Sequence, residues 1–160
     1  MVLSLLGKPQ SKPLNKIATI NANISVNSDI SSYPVRINSS MTMKKAGSCH
    51  GLEETNGLRS KKFTGTSAAI IVEAAEYTAD KAHKVYIRNT SSSKENFFYV
   101  AYNDSAAAAA TSETIGKLYG GDWMLFPYDG SVNITVASNT TETQILEYMA
   151  FADGLVDQTS

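Results

Sequence analysis

One cysteine, Cys49, and two histidines, His50 and His83, are the whole supply of thiol and imidazole in this 160-residue sequence. A single cysteine rules out a disulfide framework within the chain, so an oxidising compartment is not implied and burial has to hold the fold together. Charge is also scarce: 18% of residues are charged and the net charge is -1, against an average charged content of about 25%. Phosphate backbones are gripped by clustered basic surplus, so no nucleic-acid partner is expected. Long apolar runs are missing too, and no membrane partner is expected. The opening run from Val2 to Leu6 lacks the basic flank and length of a secretory segment. Export is therefore not expected, and neither are glycans on the six Asn-x-Ser/Thr sites at Asn23, Asn38, Asn89, Asn103, Asn133 and Asn139.

Catalytic motifs are missing in the same way. There is no G-x-S-x-G elbow, no G-x-G-x-x-G and no G-x-x-x-x-G-K-[ST], and Gly116-Lys117 lacks the rest of a phosphate loop. A Ser-His-Asp set would have to be assembled from distant loops, and serine is so common here that any histidine has one nearby. Cys49, His50, Glu53 and Glu54 crowd one stretch, yet adjacent residues rarely ligate one ion and no second cluster completes a set. The expectation is no catalytic residue, no metal, no cofactor and no enzyme.

Alternation of apolar and polar residues, by contrast, is abundant. Ala18, Ile20, Ala22, Ile24 and Val26 face one way and Thr19, Asn21, Asn23 and Ser25 the other, which predicts a half-buried strand. The same period places Val35, Ile37, Ser39, Met41 and Met43 against Arg36, Asn38, Ser40 and Thr42, so the two stretches are expected to pair as a hairpin. Thr66 to Val72 reads as a central strand, apolar on both faces. Between Lys84 and Gly154 five further segments follow: KVYIRN, NFFYVAYN, GDWMLFPYDG, SVNITVAS and TQILEYMAFADG. Turn residues separate them too closely for the helical crossovers of parallel pairing, which predicts antiparallel neighbours. The fold class is all-β: an antiparallel, jelly-roll-like sandwich of roughly eight to ten strands with an extended N-terminal arm.

Other stretches interrupt this pattern. Residues 1–15 combine Gly7, Pro9 and Pro13 with Val2, Leu3, Leu5 and Leu6 and read as the arm; its leucines either fold back onto the chain's own sandwich or dock on another subunit. Residues 16–154 form the sandwich domain and 155–160 a tail. Residues 44–62, with three glycines and seven charges, read as a long loop whose rim carries Lys44, Lys45, Arg59, Lys61 and Lys62. Glu73 to Ala82 is read as a strand ending in a turn near Asp80. Ala106 to Ala110 falls short of a stable helix and is expected to be a loop or a single turn. Ile115 to Leu118 read as the approach to a Gly120-Gly121 turn. In NFFYVAYN the set containing Tyr102 is expected outside the core, under a loop or at a binding surface. Tyr119, Trp123 and Tyr128 either pack inward or form an aromatic platform for sugar.

The segments VYIRNTSSS, NFFYVAYN, IGKLYGGDWMLFPYDGSVNITVAS and ILEYMAFADG resemble small β-sandwich virion proteins of tailed bacteriophages, a group that includes head decoration or cement proteins and fibre or neck domains. The resemblance implies a structural protein made in the host cytoplasm and located in the virion. It implies major capsid protein or other virion proteins as partners and many copies, or a homo-oligomer, on the particle. Val2, Leu3, Leu5 and Leu6 would then enter an apolar groove or add a strand to a neighbour, and Lys8, Lys12 and Lys16 would meet acidic shell surface. The other member role, a fibre or neck module, implies a glycan or receptor bound at Tyr102, Tyr119 and Trp123.

Overall fold

The computed structural model describes residues 20–28, 35–43, 54–102 and 114–152. The arm with its seven expected contact residues, the C-terminal tail, Cys49, His50 and the alanine run lie outside the described residues. Among those described there are eleven strands and one short 3-10 turn, and the strand pairing is antiparallel throughout.

The hairpin forms as expected. β1 (Ile20–Ser28) pairs with β2 (Val35–Met43) over their full length, with Ala22 opposite Met41 and Val26 opposite Ile37. Its polar side is tied by cross-strand bonds, the Ser25 hydroxyl to Asn38 Oδ1 at 2.8 Å and the Thr42 hydroxyl to Asn21 Oδ1 at 2.9 Å. The expected burial of its apolar side is not found: Ile24, Val26, Ile37 and Met41 are 42–50% exposed. The ribbon is a separate two-stranded sheet that shares no backbone ladder with the sandwich, which instead begins at Glu54.

The sandwich has two layers. One sheet runs β5 (Ala69–Val72), β10 (Ile134–Ser138), β7 (Phe97–Tyr102), β8 (Thr114–Tyr119). The other runs β11 (Gln144–Ala152), β6 (His83–Asn89), β9 (Trp123–Tyr128), with β3 (Glu54–Thr55) and β4 (Arg59–Phe63) sharing the outer edge of β11. Pairing proceeds from outside inward along the chain, β4 with β11, β5 with β10, β6 with β9 and β7 with β8. That is one long antiparallel ribbon rolled into a jelly roll. Successive strands therefore mostly change sheet instead of pairing, which corrects the expectation of antiparallel sequence neighbours; within the sandwich the exceptions are β7 and β8, which pair, and β3 and β4, which share the edge of β11.

The segment read as a loop over 44–62 carries β3 and most of β4. From Thr55 to Arg59 the edge takes one more step than Tyr148 to Phe151 opposite it, a bulge at which Gly57 has φ 72°. Such an insertion breaks the period of two and bends the strand. Asn56 bridges the break, donating its N–H to Ala150 O at 3.3 Å and accepting the Ala150 N–H on Oδ1 at 2.8 Å. Arg59, Lys61 and Lys62 are the charges of an edge strand, where they discourage pairing with another chain.

Three more readings are corrected. Glu73 to Ala82 holds a 3-10 turn at Ala74–Glu76 in place of the expected strand, while the expected turn near Asp80 does form, with Asp80 at φ 60°. β5 is an edge strand, and a register shift between Ile134 and Thr135 lets Ile71 and Val72 both enter the core. In β7 the inward set is Phe98 and Val100, both fully buried, with Tyr102 packed against the same core. Phe97, Tyr99 and Ala101 lie on the opposite face, where Ala101 is itself buried beside Ala137 with Tyr99 and Ala68 packed against them; two apolar faces reveal the period of a strand but not its sign. The core joins these to Phe63, Val85, Ile87, Leu118, Ile134, Val136 and Leu146.

Asn89 closes one end of the sandwich. It is fully buried on β6, yet its Nδ2 donates to Leu118 O of the other sheet at 3.0 Å and to Asn96 O at 3.1 Å. Its Oδ1 accepts the Ser91 N–H at 3.0 Å. Gly120 sits against this knot, where a Cβ would fall 2.0 Å from the Ser93 carbonyl oxygen.

Candidate functional site

The three aromatics singled out from the sequence do not converge. Trp123, 54% exposed, stands on the outer face of the β11-β6-β9 sheet opposite Arg88, with Tyr86 at 6.4 Å between ring centroids. Tyr119, 40% exposed, lies on the outer face of the other sheet, beside Phe97 at 5.0 Å. There the Lys117 ammonium sits over both Phe97 and Tyr99, at 4.9 and 5.4 Å. That is a solvated cation–π cluster, worth about 0.5–1 kcal/mol. Tyr102 is at the far end of β7, where its hydroxyl donates to Pro127 O at 3.2 Å.

At that end, where β6 and β10 begin and β7 and β9 finish, the strand termini frame an open surface pocket of about 470 Å³. Lys81, Tyr102, Pro127, Tyr128, Asp129 and Val132 line it. Two tight turns shape it: the Lys81 N–H donates to Asp129 O at 3.3 Å, and Asp129 Oδ1 accepts the Ser131 N–H at 3.0 Å. Gly130 follows at φ 82°, and a Cβ there would lie 2.8 Å from Thr78 O. Burial, then the Asp129 carboxylate, push the Tyr102 phenol above its ordinary range. Tyr128 is buried and its phenol pushed up, first by burial and then by Tyr77. Its hydroxyl has no hydrogen-bond partner.

His83 lies behind this end, fully buried, with its rings at 5.3 Å from Tyr77 and 6.0 Å from Tyr128. Its Nε2 is 2.8 Å from Thr78 O, and a carbonyl accepts, so that nitrogen carries the proton. The ring braces the turn. Among the described residues, no group of three or more His, Cys, Asp or Glu side chains is placed to hold a metal, and no helix is long and apolar enough to cross a membrane. Of the six Asn-x-Ser/Thr asparagines, Asn89 is consumed by the knot described above, and Asn139 Oδ1 accepts the Phe97 N–H at 2.8 Å.

The sequence pointed to Tyr102 and Tyr128 but not to the pocket they both line. Asp129 reads as a turn residue and Val132 as the start of the next alternating strand, and nothing local singles out Lys81 or Pro127; only the rolled topology brings the two turns beside the end of β7.

No protein-family model and no curated protein matches the chain. Among solved structures it is similar to the Yersinia pseudotuberculosis-derived mitogen, with 11% identity, a TM-score of 0.40, and 66% of this chain aligned to 92% of that one. A likeness of that size carries no argument about function.

Proposed function

We propose that the chain is a non-enzymatic structural protein of a phage-like particle, a decoration or cement protein that attaches to the major capsid protein through its N-terminal region. The supporting observation is the β1–β2 ribbon. Its polar face is cross-linked by its own side chains, while Ile24, Val26, Ile37 and Met41 stand about half exposed on the other. An isolated two-stranded hairpin is at best marginally stable in water, so a ribbon of this kind gains by laying its apolar face on something. The sandwich, by contrast, closes around its own core. The resemblance to virion sandwich proteins supplies the shell subunit as the surface.

Co-sedimentation of the full chain with assembled particles tests this. Ile24→Glu combined with Met41→Glu leaves the sandwich folded and is expected to strip the protein from particles. Unchanged occupancy would sink the reading.

A further inference from the structure

We infer that the outer face of the β11-β6-β9 sheet is where two copies of this chain meet, stacked about a two-fold axis. The register fixes this face row by row. Met149, Tyr86 and Leu125 stand directly opposite one another and make an apolar row across the three strands. The row on one side of it holds Glu147, Arg88 and Trp123, and the row on the other Phe151, Lys84 and Pro127. The alternate residues Leu146, Ala150, Val85 and Ile87 are buried, so these rows point away from the core. Trp123 and Arg88 are exposed, while Tyr86, Leu125, Met149 and Phe151 are half-buried. Neither strand of the ribbon packs along β6, β9 or β11. A contiguous apolar field edged by charge is the mark of an interaction surface.

Charge selects a second copy as the occupant. Glu147 and Lys84 lie diagonally on this face, one strand and two rows apart, a separation of about 14 Å at ordinary strand spacing and rise. A two-fold axis in the plane of the sheet, passing midway between them, sets each Glu147 over Lys84 of the other copy, so one operation makes two opposite-charge contacts. The same rotation lays Tyr86 on Tyr86 and Met149 on Met149 and brings Leu125 beside Trp123. Strands of the two copies then cross at about 40°, close to the roughly 30° of aligned sheets. Other occupants fit less well. A lipid surface would have to cover Arg88, Glu147 and Lys84, and the β1–β2 ribbon has no acidic residue to offer Lys84. With the β4 edge included, the face covers about 450 Å² per copy. Twice that is less than the roughly 1,200–2,000 Å² of stable interfaces, so the dimer is weak, with a Kd on the order of 100 µM. The inference does not rest on attachment to a particle.

The test is sedimentation velocity of the full chain from roughly 10 µM to 1 mM, across which a monomer–dimer equilibrium is expected. Lys84→Glu and Glu147→Lys each turn both contacts into like-charge pairs and should separately weaken the dimer by about tenfold or more. An equimolar mixture of these two variants restores both contacts and should dimerise with close to wild-type strength. Tyr86→Ser removes the central packing and should leave a folded monomer. Ile24→Glu with Met41→Glu should leave dimerisation unchanged, so failure of this interface and failure of particle attachment are read separately. A wild-type chain still monomeric at the highest concentration would overturn the assignment. So would a charge variant that dimerises as well as wild type, a mixture no stronger than its components, or a dimer lost in the ribbon variant.

Discussion

Asn89→Ala is the sharpest test of how the two sheets are joined. Asn89 belongs to β6, but two of its three side-chain bonds end on Leu118 O and Asn96 O, and the third holds the Ser91 N–H. Truncation removes all three and leaves the Leu118 carbonyl without this donor in a buried setting. An unmade buried bond costs about 1–3 kcal/mol, and the two partly buried partners, which water can reach, add less than about 1 kcal/mol each. The expected loss is about 3 kcal/mol, out of a typical total of roughly 5–15 kcal/mol. Urea titration should show a lower midpoint at an unchanged slope. Asn89→Asp adds a discriminating arm, because it keeps an acceptor for Ser91 but turns a second oxygen toward two carbonyl oxygens. It should be worse than alanine. A loss under about 1 kcal/mol for alanine, or aspartate tolerated as well as asparagine, would refute the idea that this side chain locks the sheets together.

Gly120→Ala should destabilise by about 3 kcal/mol or more, read as a lowered Tm, because the new Cβ would meet backbone Ser93 O at 2.0 Å. Stability should fall on the alkaline side: Tyr77 is pushed up to about 12 from 10.0, mainly by burial, so the folded state favours the neutral phenol. That contribution, on the order of 2 kcal/mol, is complete below pH ~10 and lost as pH rises towards ~12; urea midpoints flat across this window would contradict it. Trp123→Ala should change stability by less than about 1 kcal/mol, since the ring is 54% exposed; a larger loss in urea titration would mean that the ring is covered in solution.

The parts legible in the sequence are those where one face of a strand is clearly wetter than the other. The hairpin register follows the alternation of Ile20 to Val26 and Val35 to Met43, and the closing strand buries Leu146 and Ala150 while exposing Ile145. Legibility failed where periodicity was broken or unsigned. Gly57 inserts a bulge, so a charged edge strand reads as loop. β7 is apolar on both faces, and only the packing of Phe98 against Phe63, at 5.0 Å between ring centroids, decides which one is inside. The partners of Asn89 and the lining of the pocket were out of reach for a different reason. They join residues far apart in the chain, and local pattern carries no information about which strands a roll will set side by side.

The energetics of the ribbon limit how attachment can work. Full burial of a large aliphatic side chain is worth about 1.5–3 kcal/mol, so four that are already half covered can gain about 1 kcal/mol each on docking. Their sum of about 4 kcal/mol only reaches the lower end of the roughly 4–15 kcal/mol that association costs in lost freedom. A ribbon of this size does not hold a particle by itself. If the chain attaches as proposed, residues outside the ribbon must share the load, and the sequence offers Val2, Leu3, Leu5 and Leu6 with Lys8, Lys12 and Lys16. Two weak contacts on one chain reinforce each other through effective concentration, so each is necessary and neither is sufficient. Leu3→Asp with Leu6→Asp should therefore release the protein from particles almost as completely as Ile24→Glu with Met41→Glu. Full occupancy of the leucine variant would show that the ribbon binds alone, and the area argument would then be wrong.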